Sequence, residues 1–207
     1  MTDLTEAKYT IVNWVEIDRW VEVIVEKIIK SDFYPDIVIG MTRGGWIPAR
    51  LICDHLILKE LYALKTEHWG MTATPDGMAR LIDAPAIDLK KKKVLVVDDI
   101  TDTGQSLKLA LSTLSSYYPE SIKSVTLLHI SHSSTIPDFY AKEIKKNEWS
   151  WFIFPWNFRE DVYNIVSRYA DNGYDSENIQ KKMYKDHGIK VKKELIDELT
   201  AMKKRKS

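Results

Sequence analysis

Four consecutive apolar residues, Val94-Leu-Val-Val97, run straight into two aspartates, Asp98 and Asp99, and then into Ile100-Thr-Asp-Thr-Gly-Gln-Ser106. An apolar tetrad bounded by turn residues reads as a strand buried on both faces, the habit of central strands in parallel sheets. Two adjacent carboxylates at its end are costly to leave dry, because an unpaired buried charge carries a penalty of several kcal/mol. The strand end is therefore expected to be wet or to hold a ligand. Side chains alternate faces along a strand, so one aspartate is expected to face a crevice while the other braces the loop. Carboxylates accept from vicinal sugar hydroxyls and suit Mg2+ or its waters. The hydroxyl-rich turn around Gly104, opening onto a helix, offers Oγ groups and N–H donors to one phosphate. Ser106 is expected to cap that helix, which the pattern carries to about Tyr117.

The flanking segments repeat the strand–loop–helix pattern. Asp36-Ile-Val-Ile-Gly40 is a second buried strand, followed by Met41-Thr-Arg-Gly-Gly45 and a helix from Pro48 to Leu58. Pro48 falls in the first turn, where a missing N–H is harmless. Upstream, Ile17, Val21, Ile24, Val25 and Ile28 recur at helical spacing between Trp14 and Lys30. Further strands are expected at Leu61 to Leu64 and Ser124 to Ile130, with an edge strand at Trp151 to Phe154. Thr66 to Pro85 is polar and turn-rich and is expected to form an arm or loop able to close over a site. Beyond Trp156, three short helices are expected at Asp161 to Arg168, Ser176 to His187 and Val191 to Lys203. Strands alternating with helices predict an α/β fold with ligands at the carboxyl ends of a mainly parallel sheet.

Composition narrows the function classes. Thirty basic and thirty acidic residues among 207 cancel to a formal charge of zero, which speaks against a polyanion binder driven by bulk charge. The KKRKS end reads as a solvated terminus, so a nucleic-acid partner is not expected. Hydrophobic residues at 44% and charged residues at 29% exclude disorder of the whole chain. One cysteine, Cys53, forms no internal disulfide, and MTDLTEAKYT lacks the apolar run of a signal peptide. No stretch reaches the ~18 uncharged apolar residues that span a bilayer. A cytoplasmic chain without a membrane partner is expected. GxxxxGK[ST] and GxGxxG are absent, which removes P-loop and dinucleotide readings.

VLVVDDITDTGQS, Val94 to Ser106, resembles the 5-phosphoribosyl-1-pyrophosphate (PRPP) motif of the type I phosphoribosyltransferases. Met41-Thr-Arg-Gly-Gly45 is similar to that family's pyrophosphate loop, in the form seen in xanthine-guanine enzymes. The resemblance implies that Asp98 and Asp99 hold the ribose hydroxyls and Mg2+, with Asp99 meeting the metal directly or through water. It implies that Asp102, Thr103, Gly104, Gln105 and Ser106 wrap the 5′-phosphate, and that Thr42, Arg43 and Gly44 bind pyrophosphate. Asp102 then stands where the 6-oxopurine enzymes carry their proposed general acid/base near N7 of the base.

WFIFPWN, Trp151 to Asn157, is similar in spacing to the W-x-x-x-P-W-D segment of xanthine-guanine phosphoribosyltransferases. This makes Trp151 a stacking platform for a purine and Phe152 a source of main-chain groups, while Asn157 replaces the family's Asp. Ser131 occupies the step of the family's base-reading Lys, with His129 and His132 nearby as donors. Arg80 and Arg159 are pyrophosphate candidates on charge alone. The implied fold is a twisted, mainly parallel sheet flanked by helices, with a small hood. Residues 1–157 would form the phosphoribosyltransferase domain and 158–207 a helical extension. The implied activity is Mg2+-dependent transfer of ribose 5-phosphate from PRPP to guanine, hypoxanthine or xanthine in a homodimer or higher homo-oligomer. The alternatives are a PRPP- or nucleotide-sensing regulator whose C-terminal helices bind a partner, or an enzyme acting on another base.

Overall fold

A computed structural model describes residues 8–68, 79–83 and 86–206. In chain order the elements are β1 (Tyr9–Ile11), α1 (Trp14–Lys30), β2 (Ile37–Thr42), α2 (Trp46–Leu56), β3 (Leu61–His68), β4 (Ala79–Asp83), β5 (Lys93–Thr101) and α3 (Gln105–Ser115). There follow β6 (Ser121–Ile130), β7 (Phe139–Ile144), a 3-10 turn (Lys146–Glu148), β8 (Trp151–Ile153), α4 (Phe158–Asp171), α5 (Ser176–His187) and α6 (Lys193–Lys206). Two compact units share these elements: Val15–Trp149, and Met1–Trp14 with Ser150–Ser207.

The first unit is built on a six-stranded sheet of order β4-β3-β2-β5-β6-β7. Every pairing is parallel except β3 with β4. The chain builds outward from β2 through β3 to β4, then returns to the other side of β2 and builds outward again from β5 to β7. Between β2 and β5 the winding reverses, and beyond the carboxyl ends of two such strands an α/β sheet leaves its crevice.

Burial follows the apolar runs. Ile39, Met41, Leu64, Val94 and Val96 on one sheet face pack with Leu107, Ala110 and Leu114 of α3. Each fully buried Leu or Ile contributes about 1.5–3 kcal/mol relative to an exposed one. In α2 the buried residues are Pro48, Ala49, Ile52 and Cys53, and in α1 they are the five apolar positions picked out by spacing. The 17-residue span of α1 coincides with its pattern.

Several boundaries differ from expectation. β5 does not stop at Val97 but continues to Thr101, because β6 keeps pairing with it: Asp98 opposes Thr126, Ile100 opposes Leu128 and Thr101 opposes His129. β3 runs on to His68 and pairs with β4, so part of the polar arm is an antiparallel ribbon. The remainder of the expected closing loop, at 69–78 and 84–85, lies outside the described residues. Ser106 lies inside α3, whose N-cap is Gly104. β1 and β7 carry no clear sequence signal, β7 because its FYAKEI alternates weakly.

In the second unit β1 pairs in parallel with β8, so Trp151 to Ile153 joins a two-stranded sheet instead of the edge of the large one. Ile153 shares a core with Val162, Ile165 and Val166 of α4, Ile179 and Met183 of α5, and Ile196 and Leu199 of α6. Asp175 caps α5, accepting from the Asn178 backbone N–H at 2.8 Å. Among the described residues no helix is long and apolar enough to cross a membrane.

Candidate active site

The loops that follow β2 and β5 meet at the switch point. A Cβ on Gly44 would lie 2.5 Å from Asp99 Cγ and 2.8 Å from its Oδ1, with Oδ2 closer still. A Cβ on Gly45 would lie 2.7 Å from Asp98 Cα. No side chain fits between the RGG loop and the acidic strand end, which is why two glycines stand there. The Thr42–Arg43 peptide is cis, Thr42 Oγ1 donates to the Leu64 carbonyl at 3.4 Å, and Arg43 is exposed.

Each loop feeds a helix whose N-cap residue is a glycine, which offers no capping side chain, and whose first turn holds no acidic residue, α2 after Gly45 and α3 after Gly104. Backbone N–H groups in the first turn of a helix have no intrahelical acceptor, and an anion satisfies them while meeting the positive end of the dipole. Gly104 has φ +80°, a left-handed conformation that favours glycine. Thr103 Oγ1 accepts from the Gln105 N–H at 3.5 Å.

The end of β5 is fixed by a buried polar chain. Thr101 Oγ1 donates to Thr126 Oγ1 at 3.0 Å, which donates to the Leu128 carbonyl at 2.9 Å. Asp99 is 8% exposed, and its backbone N–H donates to Asp98 Oδ1 at 3.0 Å. Burial first, then the Asp99 charge, push the Asp98 carboxyl well above the usual carboxylate range, and the Asp99 N–H offsets part of that. Two carboxylates that disfavour each other's charge form a donor set suited to a divalent cation and to hydroxyl donors. Among the described residues no group of three or more His, Cys, Asp or Glu could cage a metal. Mg2+ keeps most of its waters and is held by one or two carboxylates together with a substrate's phosphates, a demand that the adjacent Asp98 and Asp99 carboxylates meet.

Asp102 sits at the turn between β5 and α3, with His132 Nε2 3.0 Å from its Oδ1. Sequence reasoning placed His132 near the base and missed this pairing; the only local signal is the polar Ser131-His-Ser-Ser run after β6. Ser131 Oγ accepts from the Lys146 backbone N–H at 3.1 Å, which ties it to the 3-10 turn. His129 is 4% exposed beside Tyr140, and burial lowers its pKa.

Trp151, Phe152 and Asn157 belong to the second unit. The Trp151 ring packs on the helical core there, and its Nε1 donates to Asp161 Oδ1 at 3.1 Å. Phe154 stacks on Trp156 with centroids 5.0 Å apart. Asn157 is the α4 N-cap position without a side-chain capping bond. Arg159 pairs with Glu198 at 2.7 Å, a structural use of that arginine, and the Arg80 side chain lies outside the described set.

An acidic strand end flanked by glycine loops at the switch point places the chain among α/β proteins with a crevice for phosphorylated ligands. Residues 10–162 match the phosphoribosyl transferase domain, so the chain belongs to the phosphoribosyltransferase family, enzymes that transfer ribose phosphate. It is 29% identical over 124 residues to a xanthine-guanine phosphoribosyltransferase of Cereibacter sphaeroides, covering 58% of this chain and 68% of that one. It is 30% identical over 115 residues to the bifunctional protein PyrR of Clostridium kluyveri, covering 52% and 65%. The crystal structure of a purine phosphoribosyltransferase from Pyrococcus horikoshii superposes with TM-score 0.62 at 27% identity, covering 72% of this chain and 93% of that one.

Proposed function

We propose that this protein transfers ribose 5-phosphate from PRPP to a 6-oxopurine, releasing pyrophosphate. The observation that carries the reading is the approach of Gly44 to Asp99, which brings the RGG loop and the acidic strand end to one place. A single activated sugar phosphate can then touch both. In this reading the loop from Asp102 to Ser106 and the uncapped α3 N-terminus bind the 5′-phosphate, Asp98 and Asp99 accept from the ribose hydroxyls, and Thr42, Arg43 and Gly44 bind the diphosphate. Mg2+, held at Asp99 directly or through water, would supply charge neutralisation on the departing pyrophosphate.

As a purine ring nitrogen bonds to C1′, the C1′–oxygen bond to pyrophosphate breaks, and the proton on the ring passes to the Asp102 carboxylate. The transition state resembles an oxocarbenium ion, so orientation and electrostatics do the work and no protein nucleophile is needed. Trp151 as the stacking platform, with Phe152, Asn157 and Ser131 as further base contacts, rests on the motif resemblance. So does self-association as a homodimer or higher homo-oligomer, which light scattering checks.

The test is PRPP and Mg2+ with guanine, hypoxanthine, xanthine and adenine in separate reactions. Nucleotide and pyrophosphate appear in equal amounts with one or more 6-oxopurines; transfer to adenine alone, or to none, overturns the reading. Asp102→Ala lowers kcat by about 10²-fold or more, the scale of general acid/base catalysis.

A second reading, a PRPP- or nucleotide-sensing regulator, is favoured by the likeness to a bifunctional protein and by α5 and α6, which fall outside the matched family region. A cavity of about 480 Å³ in that part is lined by Lys181, Tyr184, Lys190, Val191 and Lys192 among others. PRPP binding without turnover of any base supports this second reading over the first.

A further inference from the structure

Among the described residues, no group of its own loop gives Oδ1 of Asp102 a hydrogen bond. Oδ1 is buried and makes no aligned hydrogen bond, yet His132 Nε2 lies 3.0 Å from it. The side chains of His132 and Asp102 are 32% and 42% exposed, and since Oδ1 is covered, the open part of Asp102 is the rest of its side chain.

The turn that carries His132 is built onto the phosphate loop. The Ser134 N–H and Oγ both donate to the Thr103 carbonyl, at 3.1 and 2.8 Å. Gly104 approaches so closely that a Cβ there would lie 2.5 Å from Ser133 Oγ and 2.8 Å from Thr135 Cβ. Ser133 Oγ donates to the Thr135 carbonyl at 2.9 Å and so shapes the turn itself. Its ends are pinned as well: Ser131 Oγ accepts from the Lys146 N–H, and Asp138 Oδ2 accepts from Ser124 N and Oγ, each at 2.8 Å. The imidazole therefore reaches Asp102 from a braced wall of the same crevice.

We propose that His132 is a positioning residue, holding Oδ1 of Asp102 so that Oδ2 is presented to the base proton; this rests on the reaction assigned above. Nε2 can donate to a carboxylate whether the ring is neutral, in the appropriate tautomer, or cationic, and a catalytic hydrogen bond that is poorly aligned without ligand tightens when substrate binds. An untethered carboxylate rotates, and a misplacement of about 1 Å in a reacting group costs on the order of 10²-fold in rate. His132 thus acts one residue beyond the step where the family carries its lysine, and on the carboxylate instead of the base.

The test uses the full chain with PRPP, Mg2+ and whichever purine it accepts. His132→Ala lowers kcat by about 10- to 100-fold and leaves KM for PRPP within about twofold. A glutamine amide nitrogen reaches about as far as Nε2, so His132→Gln recovers most of kcat, whereas the shorter His132→Asn stays near the alanine variant. Because the effect runs through Asp102, Asp102→Ala/His132→Ala is no slower than Asp102→Ala alone within about twofold. Wild-type kcat in His132→Ala, equal activity of the Gln and Asn variants, or a double variant losing the product of the single losses overturns the inference while leaving the reaction standing. Absence of turnover in the wild-type protein overturns both. Far-UV circular dichroism and a thermal melt of each variant verify the fold.

Discussion

Gly44→Ala tests the convergence of the two loops with one methyl group. Gly44 is not among the positive-φ residues, so alanine meets no backbone penalty and the contact alone is probed. The added Cβ lies 2.5 Å from Asp99 Cγ, and ordinary contact begins at 3.4 Å, so the carboxyl group must retreat by at least about 0.9 Å, and by more at the closer Oδ2. Asp99 is 8% exposed, and its neighbours leave little room for the move. Overpacking of this kind costs about 1–3 kcal/mol. At roughly 2–4 °C per kcal/mol for a chain of this size, Tm falls by about 2–12 °C. Displacing a substrate-holding carboxylate by about 1 Å lowers kcat/KM for PRPP on the order of 10²-fold.

The assays are initial rates of nucleotide formation against PRPP concentration and a thermal melt. Asp99→Ala removes the obstacle, so Gly44→Ala added to it brings no further loss of Tm. Wild-type kcat/KM in Gly44→Ala, or full additivity of the two melting shifts, refutes the geometry from which the function is argued.

Asp98 gives a pH signature in the ligand-free protein. Its folded pKa is raised, so over the window from the ordinary carboxylate value up to the folded one the native state holds a proton the unfolded chain has released. Stability therefore falls as pH rises through that window. Asp98→Asn reduces the slope and melts above wild type at pH 7 without ligand; a lower melt refutes the assignment. Cys53 is fully buried and its thiol is pushed up to about 11, so thiol reagents at pH 8 label it only after denaturant unfolds the chain. Trp151→Phe removes the indole donor to Asp161, which is 9% exposed, and costs about 1–3 kcal/mol in a denaturant melt. If the ring also stacks on the base, Trp151→Ala raises KM for the purine about fivefold, on the basis of roughly 1 kcal/mol for such a contact, with PRPP affinity unchanged.

Local pattern was enough for much of the fold. The stripe from Ile17 to Ile28 marks α1 because one helical face must be buried, and the apolar runs of β2 and β5 announce strands covered on both sides. Past Asn157, with Gly173 and Gly188 between elements, the sequence marks α5 at both ends, whereas α4 extends three residues beyond the expected Asp161–Arg168 on each side and α6 lies two to three residues later than the expected Val191–Lys203. β7 was illegible because an edge strand buries little and its pairing with β6 is a property of the neighbour. The extension of β5 to Thr101 carries no local signal for the same reason: the ladder with β6 overrides an apolar run that ends at Val97.

For the site, residue types and order within each loop were readable, since a carboxylate pair, a left-handed glycine and a helix start are encoded within a dozen positions. The distances between loops were not. Gly44 and Asp99 are separated by 55 positions and His132 follows Asp102 by 30. Their contacts exist only because β2, β5 and β6 lie side by side with carboxyl ends together. Sequence by itself determined which chemical groups this protein can offer a sugar phosphate. Tertiary structure decided which of them meet, because strand pairing joins residues by register across the sheet and not by separation along the chain.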